Sequence, residues 1–319
     1  MMKVAAVVVN WNQAALTRAC VESVLAGKMP PWRIFVVDNG SLEDPRDELV
    51  GVGSNIQWIL LPENRGFAAG ANAGMREALA QGAEGVFLIN NDAVADPECL
   101  RELVSALQSD ARLAAVGAKT LTQEQPPRID IAFGVLTYHG PLVQRRGWME
   151  PDITQFNEFA LVDYVAGCAM LLRREALDRV GLFDEEFFAY HEDLDWCTRA
   201  RGAGYRVGYV PSALVYHRVH ASTGGGGYES PITYLSARNA ILFVRKNAPP
   251  HLQAKYALHL AVNLVKDAVF RWRRNEWAGF VLRLRGVRDG IVGRPVPVKE
   301  LGLASQADWH EKRRLESYG

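Results

Sequence analysis

The first 120 residues alternate short, continuously apolar segments with segments whose apolar residues recur at helical spacing. The apolar segments predict buried strands at residues 4–10, 34–37, 56–61, 86–89 and around Val116. The intervening segments predict helices at residues 16–26 and 68–80, and a third helix that begins at Pro97 with Asp96 as its N-cap. This alternation predicts an α/β fold with a doubly wound, mostly parallel sheet.

Polar segments follow these strands at the points where the strands end. They are Asn10-Trp11-Asn12, Asp38-Asn39-Gly40-Ser41, Glu63-Asn64-Arg65-Gly66 and Asn90-Asn91-Asp92. Doubly wound sheets bind ligands at the carboxyl ends of their strands, so we expect a nucleotide site here. Asp38 can accept a hydrogen bond from a ribose or base, Arg65 can face a phosphate, and Asp92 can hold a divalent metal against a diphosphate. The alternative is that these residues only close turns.

Composition and missing motifs narrow the class of protein. The chain has 319 residues, 49% of them hydrophobic and 23% charged, which is ordinary for a globular protein with a large core. Neither G-x-G-x-x-G after the first strand nor G-x-x-x-x-G-K-[ST] occurs, which argues against a dinucleotide-binding fold and a P-loop.

The cysteines and the hydropathy pattern bear on the compartment. The four cysteines show no paired metal-ligand spacing and predict reduced, buried thiols. No apolar run approaches the roughly 20 residues that span a bilayer, and the N-terminus enters a strand directly, without a signal-like segment. We therefore expect a cytoplasmic protein, soluble or peripheral on the inner face of the cell membrane.

A second group of candidate residues lies after residue 190. His191-Glu192-Asp193-Leu194-Asp195-Trp196 opens a predicted helix, where acids are favoured by the helix dipole. Glu192 and Asp193 are also candidates for a general base, since a carboxylate at a helix start that faces the sheet edge can remove the proton of a bound hydroxyl group. Asp195 fits the helix alone. Trp196 is a candidate stacking platform for an acceptor substrate, or a core residue.

His217 follows a predicted strand at residues 213–216 and is a candidate functional residue, although a lone histidine in this position is more often structural. His220 and the glycine run 224–227 favour the functional interpretation. Four glycines in a row predict a loop that is mobile when the site is empty and closes over a bound donor.

The chain becomes helical from Pro231 onward, with a break at Pro249-Pro250. Apolar residues at 258, 261, 262, 265, 269 and 272 repeat at helical spacing, and Arg271-Trp272-Arg273-Arg274 follows. Residues 266–299 carry nine Lys or Arg against three acids, although the whole chain has no formal net charge. Such a region can bind an anionic membrane surface, extend the core with a basic rim, or form a homo-oligomer contact. Nucleic acid is not an expected partner.

The ordered motifs resemble those of a known family. They are V-V-N-W-N, V-V-D-N-G-S, E-N-R-G-F-A-A-G-A-N, L-I-N-N-D, V-A-G-C-A-M-L-L-R-R, G-L-F-D-E-E-F-F and H-E-D-L-D-W. Over about residues 4–247 the chain resembles the family 2 inverting glycosyltransferases of GT-A fold, and within them the rhamnosyltransferase-like and galactofuranosyltransferase-like branch.

The resemblance implies a nucleotide-diphospho-sugar donor, such as a UDP- or dTDP-sugar, a divalent cation (Mg²⁺ or Mn²⁺), and inversion at the anomeric carbon. It implies that the donor-binding residues are Asn10, Asn12, Asp38, Asn39, Asn64, Arg65, Gly66, Asn72, Asn91 and Asp92. Asn90-Asn91-Asp92 occupies the family's D-x-D position, where only Asp92 keeps a charged metal ligand. The resemblance further implies that Asp193 is the general base and that His217 is a metal ligand.

The sequence therefore predicts an inverting glycosyltransferase that moves rhamnose or another hexose to a glycan or polyprenyl-linked acceptor in cell-surface polysaccharide synthesis. We expect a GT-A domain at residues 1–220, with a donor half at 1–120 and an acceptor half at 121–220, and a helical basic extension at 221–319.

Two alternatives remain. A sugar nucleotidyltransferase should carry a Gly- and Arg/Lys-rich loop after the first strand, which Asn10-Trp11-Asn12-Gln13 does not supply. An inactive nucleotide-sugar-binding protein is disfavoured because Asp92, Asp193 and His217 occur together.

Overall fold

The structure of the protein, a computed structural model, describes residues 2–139, 141–218, 227–274 and 276–304. Within these ranges ten strands form one sheet. They are β1 (Val4–Asn10), β2 (Arg33–Asn39), β3 (Ile56–Leu61), β4 (Gly85–Asn90), β5 (Ala93–Ala95), β6 (Leu113–Thr122), β7 (Ile129–Ile131), β10 (Ala160–Leu161), β11 (Ala169–Arg173) and β12 (Arg206–His217). Two further strands, β8 (Gly134–Leu136) and β9 (Val143–Arg145), pair with each other in a separate hairpin.

The sheet is mostly parallel, as the sequence predicts. Strands β3, β2, β1 and β4 run parallel, and β12 runs parallel to β6. Strand β11 lies between β4 and β6 and is antiparallel to both, which the sequence pattern did not reveal. Because β11 runs in reverse, the residues that precede it lie at the carboxyl edge of the parallel strands.

Eight helices accompany these strands in the described part of the chain. They are α1 (Ala14–Leu25), α2 (Phe67–Ala80), α3 (Cys99–Ser109), α4 (Arg174–Val180), α5 (Glu192–Gly202), α6 (Pro231–Asn247), α7 (Pro250–Arg274) and α8 (Trp277–Val292). No helix in the described ranges combines the length and the apolar character needed to cross a bilayer.

Helices cover both faces of the sheet, so its central strands are apolar on both sides. Val7 and Leu88 belong to one buried cluster, together with residues of α2 and α5. Their chain neighbours Val8 and Ile89 belong to a second cluster, together with residues of α1 and α3. Adjacent residues of a strand point to opposite faces, which is why β1 and β4 read as continuous apolar runs.

The predicted elements of the first half are confirmed to within a few residues, with one correction. The third helix begins at Cys99, two residues later than predicted. The Asp96 carboxylate still accepts a hydrogen bond from a nearby backbone N–H, that of Glu98 at 2.9 Å, but it closes the turn before the helix. All four cysteines are free and buried, as expected.

Helix α6 is tied to the segment that precedes α5. The Asn239 side-chain amide donates to the backbone carbonyls of Phe187, Ala189 and Tyr190 at 2.7 to 2.8 Å. The buried Arg238 donates to the carbonyl of Glu186 at 2.9 Å. These bonds fix the backbone conformation of residues 186–190 from the side of the C-terminal helices.

Trp196 is part of the core, which corrects its prediction as a sugar platform. The side chain is completely buried, and its Nε1 donates to the Gly181 carbonyl at 2.8 Å. An indole that is covered on both faces by protein cannot stack on a sugar.

We expect Trp196→Ala to lower the free energy of unfolding by about 3–5 kcal/mol, because it leaves a large cavity. Urea denaturation of the purified protein measures this. Trp148→Ala, at an exposed tryptophan that stacks on Arg145, should cost less than about 1 kcal/mol. A Trp196→Ala variant with wild-type stability and weaker acceptor binding would contradict the core assignment.

Candidate active site

A cavity of about 600 Å³ opens at the carboxyl edge of the sheet. Its wall combines the ends of β1 and β4, the segment before β11, the start of α5 and the inner side of α6. This is the position that a doubly wound sheet predicts for a ligand, and the volume suits a small-molecule site.

Asp92 and His217 meet in this wall although they lie far apart in the chain. Strand β12 pairs with β5 so that His217 is opposite Ala93, the neighbour of Asp92. The Nε2 atom of His217 is 3.1 Å from Oδ1 of Asp92, and both residues are largely buried.

Asp130, which the sequence analysis did not identify, completes this cluster. It lies on β7, and its Oδ2 is 2.9 Å from Nδ1 of His217. The signal in the sequence is small: an acid between Ile129 and Ile131, in a segment too short to predict as a strand. Burial lowers the pKa of His217, but the interactions of its ring with Cys168, Asp130 and Asp92 outweigh burial and raise that pKa well above its ordinary value.

The donor set fits a hard divalent cation in part. Adjacent ligands of an octahedral ion with bonds of about 2.1 Å are about 3 Å apart, and Asp92 Oδ1 and His217 Nε2 have this separation. Asp130 would then orient the far nitrogen of the ring, as carboxylates commonly do behind metal-bound histidines. Among the described residues, no group of three or more His, Cys, Asp or Glu could hold a metal ion. A cation here would therefore need ligands from a bound phosphate or water.

Glu192 and Asp193 both line the cavity at the start of α5, but their surroundings differ. The two carboxylate oxygens of Asp193 accept backbone N–H bonds from Gly167 at 2.8 Å and Leu194 at 2.7 Å. Glu192 is almost fully buried, and its Oε2 has no hydrogen-bond partner in the structure.

These surroundings separate the pKa values of the two acids. Burial raises the pKa of Asp193, and the backbone N–H bonds oppose that rise because they stabilise the charged form. Burial also raises the pKa of Glu192, and the neighbouring charge of Asp193 raises it further, to well above its ordinary value. On acidification Glu192 is therefore the first of the two acids to take up a proton.

The backbone before α5 adopts an unusual conformation. Phe188, Tyr190 and His191 all have positive φ, of 63°, 70° and 72°. Residues other than glycine rarely adopt such angles, and clusters of them occur at functional sites. Burial lowers the pKa of His191 to about 4, so its ring is neutral near pH 7.

Five of the predicted donor-binding residues line the cavity: Asn39, Asn64, Gly66, Asn91 and Asp92. Gly66 has a φ of 86°, and a Cβ atom there would lie 2.4 Å from the Phe188 carbonyl oxygen, so only glycine fits. The Asn64 side-chain amide donates to the carbonyl of Leu303 at 2.9 Å, which brings the C-terminal segment onto this wall.

The sequence predicts that Asp38 and Asn10 contact the nucleotide. In the structure both residues lie behind the cavity wall. Asp38 Oδ1 accepts from Asn10 Nδ2 at 2.9 Å and from Ser41 Oγ at 2.5 Å. Asn10 in turn accepts from Thr17 at 2.7 Å, and Thr17 accepts from Asn91 at 3.2 Å. Asp38 and Asn10 are completely buried. The hydrogen-bond network that they form ties together the ends of β2, β1 and β4.

Three other predicted residues also lie outside the cavity wall. Asn12 is exposed, and its Oδ1 accepts from the Leu42 N–H at 2.7 Å. Asn72 is buried and bonds to the Phe183 backbone, which corrects its assignment to the donor pocket. Arg65 is half-exposed and pairs with Glu185 at 3.3 Å, so its contact with a phosphate stays a prediction.

Trp11 is a cavity residue that sequence reasoning missed, because the analysis of Asn10-Trp11-Asn12 chose the two amides. Its Nε1 is buried without a partner, as are Nδ1 of His191 and Oε2 of Glu192. Each unpaired buried polar atom costs about 1–3 kcal/mol, so three of them on one cavity wall predict a polar ligand.

The predicted loop residues His220 and Gly224–Gly226 lie outside the described residues.

Comparison with characterised sequences gives several relatives. A family model described as "Glycosyltransferase like family 2" matches residues 2–228. The N-acetylglucosaminyl-diphospho-decaprenol L-rhamnosyltransferase of Mycobacterium tuberculosis is 27% identical over 67% of this chain and 74% of its own length. The dTDP-rhamnosyl transferase RfbF of Shigella flexneri is 25% identical over 69% of this chain and 73% of its own.

Another relative, an uncharacterized protein of Sinorhizobium fredii, is 30% identical over 73% of this chain. The chain spans about a quarter of that protein, 26% of its length.

Solved structures resemble the fold. A mannosyltransferase from Pyrobaculum calidifontis in complex with GDP-Man and Mn²⁺ has a TM-score of 0.57 and 16% identity, over 91% of this chain and 87% of its own. GalNAc-T7 with UDP, GalNAc and Mn²⁺ has a TM-score of 0.59 and 16% identity, over 77% of this chain and 48% of its own. With its mostly parallel sheet, its cavity at the carboxyl edge and a family match over most of its length, the chain belongs to the glycosyltransferase-like family 2 and has the GT-A fold.

Proposed function

We propose that this protein is an inverting glycosyltransferase that moves a hexose from a nucleotide diphosphate to a hydroxyl group of a glycan or polyprenyl-linked acceptor. The observation that carries the proposal is that Asp92, His217 and Asp193 line one cavity. The named relatives favour rhamnose as the sugar and cell-surface polysaccharide synthesis as the setting.

The donor would bind between the ends of β1 and β4. Trp11 offers an indole face and an unpaired N–H to the donor, and Asn39, Asn64 and Asn91 line the same cavity. In the described part of the chain, four acids and one arginine line the cavity, so a diphosphate that arrives with a cation is favoured over a bare one.

Asp92 and His217 would hold the divalent cation, with Asp130 behind His217. When bound, Mg²⁺ or Mn²⁺ supplies Lewis-acid stabilisation of the negative charge on the leaving diphosphate. Asp130 keeps the His217 ring in the orientation that presents Nε2 to the cavity, since it bonds to Nδ1 on the opposite side.

Asp193 would act as the general base. The hydroxyl proton of the acceptor moves to its carboxylate as the acceptor oxygen bonds to the anomeric carbon. The bond from that carbon to the diphosphate oxygen breaks, and its electron pair leaves with the diphosphate. Attack from the face opposite the leaving group inverts the anomeric configuration. Glu192 is less suited to this role, because burial and the neighbouring charge of Asp193 raise its pKa well above its ordinary value.

We expect Asp193→Asn to lower the transfer rate by about 10²–10⁴-fold while donor affinity stays within a few-fold of the wild type, because the carboxylate acts only on the acceptor. Glu192→Gln should reduce the rate far less, since glutamine resembles the protonated acid. Turnover with a competent acceptor and calorimetry with the nucleotide diphosphate measure the two effects. If Glu192→Gln is inactive and Asp193→Asn is normal, the base is Glu192.

Binding of UDP or dTDP should require Mg²⁺ or Mn²⁺ and should weaken strongly in Asp92→Ala and His217→Ala. Asp130→Asn should weaken metal-dependent binding by about 10–100-fold, because it removes the support of the histidine. Calorimetry with and without a chelator tests this, and Asp152→Asn, at an acid that pairs with Lys119 outside the cavity, is the matched control. Equal affinity with chelator and with metal would exclude the cation.

The transfer rate should fall on acidification at a pH above the ordinary titration range of an aspartate. The base works only when ionised, and burial raises the pKa of Asp193, so protonation begins at a higher pH. The pH profile of kcat/KM measures this limb. In Glu192→Gln, kcat/KM should fall at nearly the same pH as in the wild type. A rate that stays constant down to the ordinary titration range of an aspartate would argue against Asp193 as base.

A further inference from the structure

Helix α7 carries a stripe of large apolar side chains on the face that points away from the protein. They are between 44% and 67% exposed: Leu258, Val262, Val265, Val269 and Trp272. Their spacing alternates between four and three residues, so they follow one line along the helix. Of the 25 residues of α7, all of them in the described ranges, only Tyr256 is buried. Several hundred Å² of contiguous apolar surface on a soluble protein marks an interaction site.

Basic residues line one edge of this stripe. Lys255 lies three residues before Leu258, Lys266 lies four after Val262, and Arg273 follows Trp272 directly. All three are exposed, and no carboxylate pairs with them in the part of the chain that the structure describes.

The acidic residues of α7 and α8 form ion pairs with basic residues that lie away from the stripe. Asp267, the single acid of α7, lies on the opposite face and pairs with Arg271 at 3.2 Å and Arg283 at 2.5 Å. Asp289 of α8 is buried and pairs with Arg288 at 2.7 Å. Three acids cannot neutralise nine basic residues, so residues 266–299 keep a net positive charge. Among the described residues, Lys266, Arg273 and Arg274 of α7 have no carboxylate partner.

The charge pattern distinguishes between two occupants of this face. A second copy of the chain, docked through the same stripe, would offer no carboxylate of its own α7 to either basic edge, because the single acid of that helix lies on the opposite face. A bilayer with anionic headgroups supplies apolar volume for the stripe and negative charge for its edge. Tryptophans such as Trp272 favour the boundary between headgroups and acyl chains.

We infer that the outer face of α7 docks on a bilayer that contains anionic phospholipids. The opposite face of the same helix reaches the cavity, because Tyr256 is part of the cavity wall. Helix α7 thus separates the active-site cavity from the membrane surface by the thickness of one helix. An acceptor held in the bilayer would lie next to the cavity, although docking itself does not depend on the chemistry proposed for the cavity.

The test is co-sedimentation of the purified full-length protein with vesicles of phosphatidylcholine alone or mixed with phosphatidylglycerol. We expect the wild type to pellet with the anionic vesicles and to be released by high salt, since the charge component is screened. The double variant Lys266→Glu with Arg273→Glu should lower partitioning by at least roughly 25-fold, because loss of each basic residue near an anionic surface costs roughly five-fold and the added carboxylates are repelled by that surface. Val265→Ser with Trp272→Ser should lower it at least as much.

Matched controls change residues of the same kind, two basic or two exposed apolar residues, at positions outside α7. Arg179→Glu with Lys299→Glu alters the same charge, and Val50→Ser with Ile153→Ser removes equally exposed apolar side chains. Both controls should bind vesicles as the wild type does. A wild type that stays in the supernatant, or controls that lose binding as the α7 variants do, would overturn the inference.

Light scattering tests whether a second copy of the chain, and not a bilayer, covers the stripe. A dimer that dissociates in Val265→Ser with Trp272→Ser, without any vesicle binding by the wild type, would assign the stripe to self-association. Calorimetry of nucleotide diphosphate with the α7 variants should give wild-type affinity. Loss of vesicle binding with donor binding intact therefore reports on this surface, independently of the catalytic proposal.

Discussion

The antiparallel insertion of β11 between β4 and β6 is the interaction on which the site depends. It brings the segment before β11 to the carboxyl edge of the sheet, where the Asn90 N–H donates to the Cys168 carbonyl at 2.9 Å. The preceding residue, Gly167, donates its N–H to Asp193 at 2.8 Å. One short segment thus joins the end of β4, which carries Asp92, to the start of α5, which carries the proposed base. If β11 ran parallel, its residues 167 and 168 would lie at the other edge of the sheet.

The electrostatics of the cavity follow from this arrangement. Asp92, Asp130, Glu192 and Asp193 are four acids brought to one wall, and burial penalises the charge of each. The structure offsets this cost by different means. His217 lies between Asp92 and Asp130, backbone N–H groups stabilise Asp193, and the pKa of Glu192 is raised, which favours its uncharged form. A site with this acid content is suited to a cationic partner, which is the physical basis for proposing a divalent ion with the diphosphate.

The two faces of helix α7 have different surroundings. Tyr256 on the inner face contributes to the cavity wall, and the outer face presents an apolar stripe with a basic edge. Helix α6 connects the two regions, because its Asn239 holds the backbone of residues 187–190 at the cavity. The C-terminal helices therefore shape the site as well as the outer surface of the protein.

The sequence by itself determined the α/β class and the early strands and helices, and it singled out Asp92 and Asp193, two acids that line the cavity. It could do so because apolar periodicity is local and because polar residues after a buried strand must lie at the sheet edge. Only the tertiary structure decided that Trp196 is core, that Asp38 and Asn10 lie behind the cavity wall, and that Trp11 and Asp130 belong to the site. These outcomes depend on the packing of segments distant in the chain, such as the pairing of β12 with β5 that brings His217 to Asp92. A side chain's residue type does not reveal whether it will face a cavity or be satisfied by a neighbour, because hydrogen bonding and burial are settled only when the strands and helices come together.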